Sequence, residues 1–437
     1  MPRLAAIVLL LGLLAQPVSA SAAGRTDRGH ATTGRAASAT TWRYVAGRAP
    51  VVDALGRTWQ PEVGARGGTV ATMPATVSGT ASPQLYRSAR VGVGGYALPL
   101  AGAGTYAVDL YVAETDGVRA GQRVFDVTAE GNPAAAGIDV ARSAGTDAAH
   151  HVLFTVPVTD GTLNLAFVAR RGTPVVSAIE VSRMSQATSS AHLTWADEFD
   201  GSAGTAPDPA NWDFDLGVGA SPGWGNRELE SYTNRPENVS LDGHGALAIT
   251  ARSEQHTGLD GATRDFTSAR IKTQKRVTWT YGRVEARIKM PSGRGLWPAF
   301  WAVGENVYSV GWPASGEMDI VELLGSDPST AYGSIHGPSQ AGRAFGSSKS
   351  VRAATPLSDQ FHSYGTLGVP GAVQMLLDGK PYVTYTPADL GPANQWVFDH
   401  PFHLILNLAV GGNWPGAPDG STRFPATMLV DYVRVWS

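Results

Sequence analysis

The chain has 437 residues, with 34 Lys and Arg against 37 Asp and Glu, a formal net charge of −3 and no cysteine. That length allows two domains with full cores. The charge balance offers no basic patch for nucleic acid, and without cysteine the fold must be held by its cores rather than by disulfide bonds. With 52 Gly and 28 Pro set among alternating β-branched stretches, the composition predicts an all-β fold of short strands joined by turns.

In chain order, Met1-Pro2-Arg3 gives a positive start, Leu4 to Ala15 an apolar run, and Val18-Ser19-Ala20 and Ala20-Ser21-Ala22 small-residue cleavage sites. Residues 1–23 therefore read as a signal peptide and the protein as secreted and extracellular. The apolar run is too short to span a membrane comfortably and no later segment qualifies, so no membrane partner is expected. Residues 24–41 are small and polar, and read as a disordered leader. Residues 42–184 carry strand patterns at Gly104–Val112, Val124–Ala129, His151–Val158 and Thr162–Ala169, with alternation clearest in the first and last. Residues 185–192 (SQATSSAH) form a polar linker, and a second all-β unit runs from 193 to 437.

Within that second unit, Gly316-Glu317-Met318-Asp319-Ile320-Val321-Glu322 places three carboxylates inside six residues of an apolar run. Charge on an apolar sheet surface is costly unless it is used, because an unpaired buried carboxylate raises its pKa or destabilises the fold. In a regular strand Glu317 and Asp319 share one face, with Met318 and Ile320 on the other, and Glu322 falls on the wrong parity. One extra residue, a β-bulge around Ile320 and Val321, restores it. The two glutamates are then roughly 13 Å apart at Cα and their side chains must converge. Retaining glycosidases hold their carboxyl groups about 5–5.5 Å apart and inverting ones about 6.5–9.5 Å, and a strand makes the shorter separation attainable. A helix would point Glu317 and Glu322 well apart.

Ten of the 12 tryptophans lie at or after Trp195. Trp224, Trp297, Trp301, Trp312 and Trp414 sit beside glycine or proline or near the acidic strand. Flat indole faces suit the C–H faces of pyranose rings, yet tryptophan is usually well buried. About half of the five are expected in the core and the rest along a groove.

Together these blocks give a resemblance. Residues 193–437 resemble the family 16 glycoside hydrolases, specifically the laminarinase-like endo-β-1,3-glucanases. The matching stretches include Thr194–Phe199, Gly225–Thr233 (GNRELESYT), Ser268–Thr273, Tyr281–Met290, Gly295–Trp301 (GLWPAFW), Gly311–Glu322, Ser334–Pro338, Pro401–Pro415 and Val430–Val435. The resemblance implies a β-jelly roll with the substrate in a groove on a concave sheet. It implies Glu317 as nucleophile, Glu322 as acid and base, and Asp319 hydrogen-bonded to the nucleophile. It further implies substrate contacts from Asn226, Glu228, Arg270, Trp297, Trp301, Trp312 and His336, with Trp297 and Trp301 stacking on the sugars and Asn413 and Trp414 in a loop over one end of the groove. Arg270 and Glu228 could instead pair with each other, and His336 could be a structural histidine. The chemistry requires no cofactor. A structural calcium is implied on the convex side at Glu198 and Asp431, which could equally be ordinary surface acids. One departure is Gly368, where the family usually has a tryptophan.

Residues 42–184 resemble malectin-like carbohydrate-binding domains more loosely, on Gly56–Trp59, Leu85–Gly92, Tyr106–Glu114, Phe125–Gly131 and Ala178–Val181. This implies an N-terminal β-sandwich in which Tyr86, Tyr96 and Tyr111 form either a sugar platform or part of the core. The whole reads as a monomeric, secreted retaining endo-β-1,3-glucanase whose partner is a β-glucan polysaccharide. The same acidic strand would also serve on mixed-linkage glucan, galactan or agar, in a transglycosylase, or as a relic in a glucan-binding lectin.

Overall fold

The computed structural model describes residues 41–73, 76–115, 117–184, 192–219, 221–258 and 261–436. The expected signal peptide lies outside them, as do the leader and the linker except for the last residue of each. The described residues form two all-β units.

In the N-terminal unit a six-stranded sheet faces a five-stranded one. The strands predicted at 104–112, 124–129, 151–158 and 162–169 form with ends displaced by two residues at most. Period-two alternation explains the packing: Tyr106, Val108, Leu110 and Val112 point inward from one sheet, against Phe125, Val127, Leu163, Leu165 and Phe167 from the other.

The C-terminal unit is a two-sheet jelly roll. Its cleft sheet uses β1 (Asp213–Asp215), β2 (Arg270–Lys272), β3 (Leu296–Gly304), β4 (Glu317–Leu323), β5 (Thr330–Pro338), β6 (Ala344–Arg352) and β8 (Phe402–Val410), in the order β1-β2-β8-β3-β4-β5-β6. The opposing ten-stranded sheet ends in β7 (Lys380–Tyr385). β3 is buried on both faces, and its parity splits it: Leu296, Phe300 and Ala302 enter the core between the sheets, whereas Ala299, Trp301 and Val303 pack on the cleft side. Each large aliphatic or Phe fully buried in that core contributes about 1.5–3 kcal/mol relative to exposure. Gly368 lies on the strand His362–Val369, where an added Cβ would meet Thr280 O at 3.2 Å and Trp279 Nε1 at 3.8 Å. Buried Trp279 thus supplies an indole beside the position where the family pattern led us to expect one.

The two units are packed together. Ala388, on the turn Pro387–Leu390 after β7, is fully buried among Trp59, Leu85, Tyr86 and Tyr111 of the N-terminal unit. Ser82 Oγ donates to the Ala388 carbonyl at 3.2 Å. His151 lies between Asp109 at 2.8 Å and Asp389 at 3.4 Å. Burial alone would depress the imidazole, but the two carboxylates outweigh it and push its pKa up to about 10.

Candidate active site

The acidic run forms β4, and the expected bulge is present. Against β3, Trp301 pairs with Asp319 and Phe300 with Val321, which leaves Ile320 unpaired. Against β5, Asp319 pairs with Ser334 and Glu322 with Tyr332, so Gly333 alone faces two residues. Ile320 and Val321 therefore both enter the core, together with Met318 and Leu323. Glu322 is returned to the side of Asp319, and the two line one crevice with Trp297 and Trp301.

Each carboxylate has its own partner. Trp312 Nε1 donates to Glu317 Oε2 at 3.0 Å, and Trp297 Nε1 donates to Glu322 Oε1 at 3.0 Å. His336 Nε2 lies 3.2 Å from Asp319 Oδ2. One carboxylate oxygen from each of Glu317 and Asp319 and one ring nitrogen of His336 all fall within 4.8 Å of one another. The other oxygen of Glu317, Oε1, is buried and has no hydrogen-bond partner among the described residues.

Burial, followed by the charge of Asp319, pushes Glu317 up to about 8. The same two causes hold Glu322 well above the usual carboxylate range, with Glu317 adding to them. Burial would lower His336, but Asp319, Glu317 and Glu322 outweigh it and raise the imidazole to about 9. Glu317 is drawn down by His336, the Trp312 N–H and Arg270, whereas His336 and the Trp297 N–H act on Glu322. That asymmetry favours losing the first proton from Glu317 and keeping the last on Glu322, the division of labour a nucleophile and an acid need.

Both units have relatives among known proteins. Residues 229–434 match the model of glycosyl hydrolases family 16, and residues 40–191 match the malectin domain. A beta-glucanase of Rhodothermus marinus is 41% identical over 254 residues, spanning 56% of this chain and 84% of that protein. A glucan endo-1,3-beta-glucosidase of Cryptopygus antarcticus is 36% identical, spanning 56% of this chain and 92% of its own. Among solved structures, the laminarinase catalytic domain of Thermotoga maritima superposes with a TM-score of 0.51 at 43% identity, covering 56% of this chain and 98% of that one. The chain belongs to glycosyl hydrolases family 16. It is a glycoside hydrolase with an N-terminal malectin domain.

Around the carboxylates, the family 16 domain gathers most of the residues expected at the cleft. Glu228, Arg270, Trp297, Trp301, Asp319, Glu322 and Asn407 line one crevice. Arg270 and Glu228 do not form the ion pair considered from sequence. The Arg270 guanidinium pairs with Asp215 at 2.9 Å and lies over Trp224 and Trp301, 4.4 and 4.7 Å from their ring centres. Glu228 accepts instead from Asn226 Nδ2 at 3.3 Å and Tyr232 Oη at 3.0 Å. Burial raises Glu228 above its ordinary value, and burial together with the charge of Glu228 holds Glu230 well above the usual carboxylate range. Trp414 packs edge-on against Trp297 and Tyr332, and the backbone N–H of Asn413 donates to Asn226 O at 2.8 Å, so their loop lies against Trp297 of the crevice lining.

The structure departs from the sequence expectations at four places. Trp297 and Trp301 are each 3% exposed, so neither presents an open stacking face as placed; Trp301 donates to Asn407 at 2.8 Å. Of the five tryptophans weighed, Trp224, Trp312 and Trp414 are the half-exposed ones. Tyr86, Tyr96 and Tyr111 form no open sugar platform, because all three are 1% exposed and the Pro387–Leu390 turn covers the cluster holding Tyr86 and Tyr111. Glu198 and Asp431 do not fit a calcium ion as placed, since Arg434 takes both oxygens of Glu198 and Arg287 takes Asp431.

Asp319 faces His336 rather than showing a hydrogen bond to Glu317. Residues missed from sequence include Asp215, Tyr232, Asn407 and Tyr332. Tyr232 and Asn407 both lay inside quoted blocks, Asn407 as a polar residue in the largely apolar run Phe402–Val410.

Proposed function

We propose that the protein is a secreted, monomeric, retaining endo-β-1,3-glucanase. The observation that carries this is the bulge at Ile320, which turns Glu322 to the cleft side of β4 and leaves each glutamate with its own indole donor. In the first step Glu317 Oε1 attacks the anomeric carbon while Glu322 gives its proton to the departing glycosidic oxygen. The C–O bond to the leaving sugar breaks and a glycosyl ester forms on Glu317. In the second step ionised Glu322 takes a proton from water, the hydroxide attacks the same carbon, and Glu317 leaves as carboxylate. Asp319 and the His336 cation hold the field around the nucleophile. No metal enters either step. The β-1,3-glucan assignment is supported by the laminarinase and endo-1,3-glucosidase relatives, and export by the N-terminal residues.

The test is a panel of laminarin, lichenan, agarose and galactan assayed for new reducing ends, with Glu317→Gln as control. Laminarin should be cut fastest and the variant should be inactive. Faster cutting of lichenan, agarose or galactan reassigns the substrate. Longer oligosaccharides among the products mean transglycosylation, and binding without cleavage means a lectin.

A further inference from the structure

The bulge that serves catalysis creates a backbone problem. Ile320 has no ladder partner on β3 or β5, and its residue is fully buried, so its carbonyl needs a donor from elsewhere. The donor comes through the core from the opposite sheet. Tyr382 Oη, on β7, donates to Ile320 O at 2.9 Å. Three residues on, Tyr385 Oη donates at 2.8 Å to the carbonyl of Gly333, the single residue facing the bulge. The approach of Tyr382 is close: a Cβ on Gly333 would lie 2.5 Å from its hydroxyl and 3.0 Å from two ring carbons. Only glycine at 333 leaves room for it. Burial holds the Tyr382 hydroxyl well above its ordinary pKa, so it remains a donor throughout the working range.

We infer that Tyr382 is a positioning residue for the catalytic pair: by fixing the Ile320 carbonyl it sets the shape of the bulge, and with it the place of Glu322 relative to Glu317. It touches no substrate, since it approaches β4 from the core side, where Ile320 points. The inference rests on the roles given above to Glu317 and Glu322, but not on which glucan is cut. A bulge free to flatten would rotate Glu322 away from the leaving oxygen. Small misplacement is costly, because a displacement of about 1 Å can remove roughly 100-fold in rate.

The experiment compares Tyr382→Phe with Tyr385→Phe, both in the full chain, on whichever polysaccharide the wild type cuts fastest. Each removes one buried hydroxyl from the same strand and keeps the ring, so both should lower the melting temperature by similar amounts. Tyr382→Phe should also lower kcat by roughly 10- to 100-fold with KM within about twofold. It should displace the pH–rate profile, because the coupling between Glu317 and Glu322 changes with their spacing. Tyr385→Phe should keep kcat within about twofold and leave the profile in place. Gly333→Ala, which crowds the Tyr382 hydroxyl, should reproduce the Tyr382→Phe kinetics. Two results would overturn the inference: a folded Tyr382→Phe with wild-type kcat and pH profile, or parallel losses of kcat and melting temperature in both phenylalanine variants.

Discussion

His336 stands 3.2 Å from Asp319 on the neighbouring strand, so a cation is built into the row of carboxylates. Its pKa in the fold, about 9, lies above the ordinary 6.5, so the charged form is the folded form at neutral pH. The sign follows from linkage. The stabilisation is complete below about 6.5 and is lost as pH rises toward about 9. His336→Gln should therefore flatten the decline of melting temperature across that window. Because the imidazolium also draws Glu317 downward, its removal should move the acid limb of kcat/KM to higher pH. An acid limb that stays in place in the variant would show that His336 does not act on the nucleophile.

The two glutamates should separate by substrate. Glu322→Gln removes the proton donor and should slow polysaccharide cleavage by roughly 10²- to 10⁴-fold. An aryl β-glucoside with a good leaving group needs no such proton, so its glycosylation step should survive in that variant. Glu317→Gln should lose both reactions. Burst kinetics on the aryl substrate distinguish the two variants, and the reverse pattern would exchange the roles.

Asp215 neutralises two buried cations, Arg270 at 2.9 Å and Lys272 at 2.5 Å. Arg270 is also packed between Trp224 and Trp301 on the cleft floor. Asp215→Asn should cost roughly 3 kcal/mol, since removing one member of a buried ion pair strands the other. Denaturant unfolding measures that loss, and KM should rise with it if Arg270 shapes the cleft.

Removal of residues 24–190 should do more than take away the malectin domain. It uncovers Ala388, Val369 and Ala372 and takes His151 away from Asp389. A catalytic domain alone should therefore melt at lower temperature than the full chain, and lose more activity on insoluble than on soluble glucan. Calorimetry checks the first point; an unchanged melting temperature would mean that the interface contributes little.

How much was legible in the sequence depended on whether the cause was local. Strand parity at Glu317, Asp319 and Glu322 demanded a bulge at Ile320 and Val321, and it is there. Period-two alternation placed Gly104–Ala113 and Thr162–Arg171 within two residues. The partners of each acid were not local. Arg270 meets Asp215 because β1 and β2 are neighbours, and Tyr382 reaches Ile320 through the core from the other sheet. Nor could the sequence foresee that Tyr86 and Tyr111 would be covered by a turn more than 270 residues further along the chain, since that burial belongs to the packing of one unit on another.

The central claim is a double displacement through Glu317, and the anomeric configuration of the first product tests it most directly. Proton NMR of laminarin cleavage, recorded before mutarotation, should show the β-anomer of the new reducing end appearing first. If the α-anomer appears first, water and not Glu317 attacks the anomeric carbon, and the assignment of β4 as a nucleophile-bearing strand is wrong.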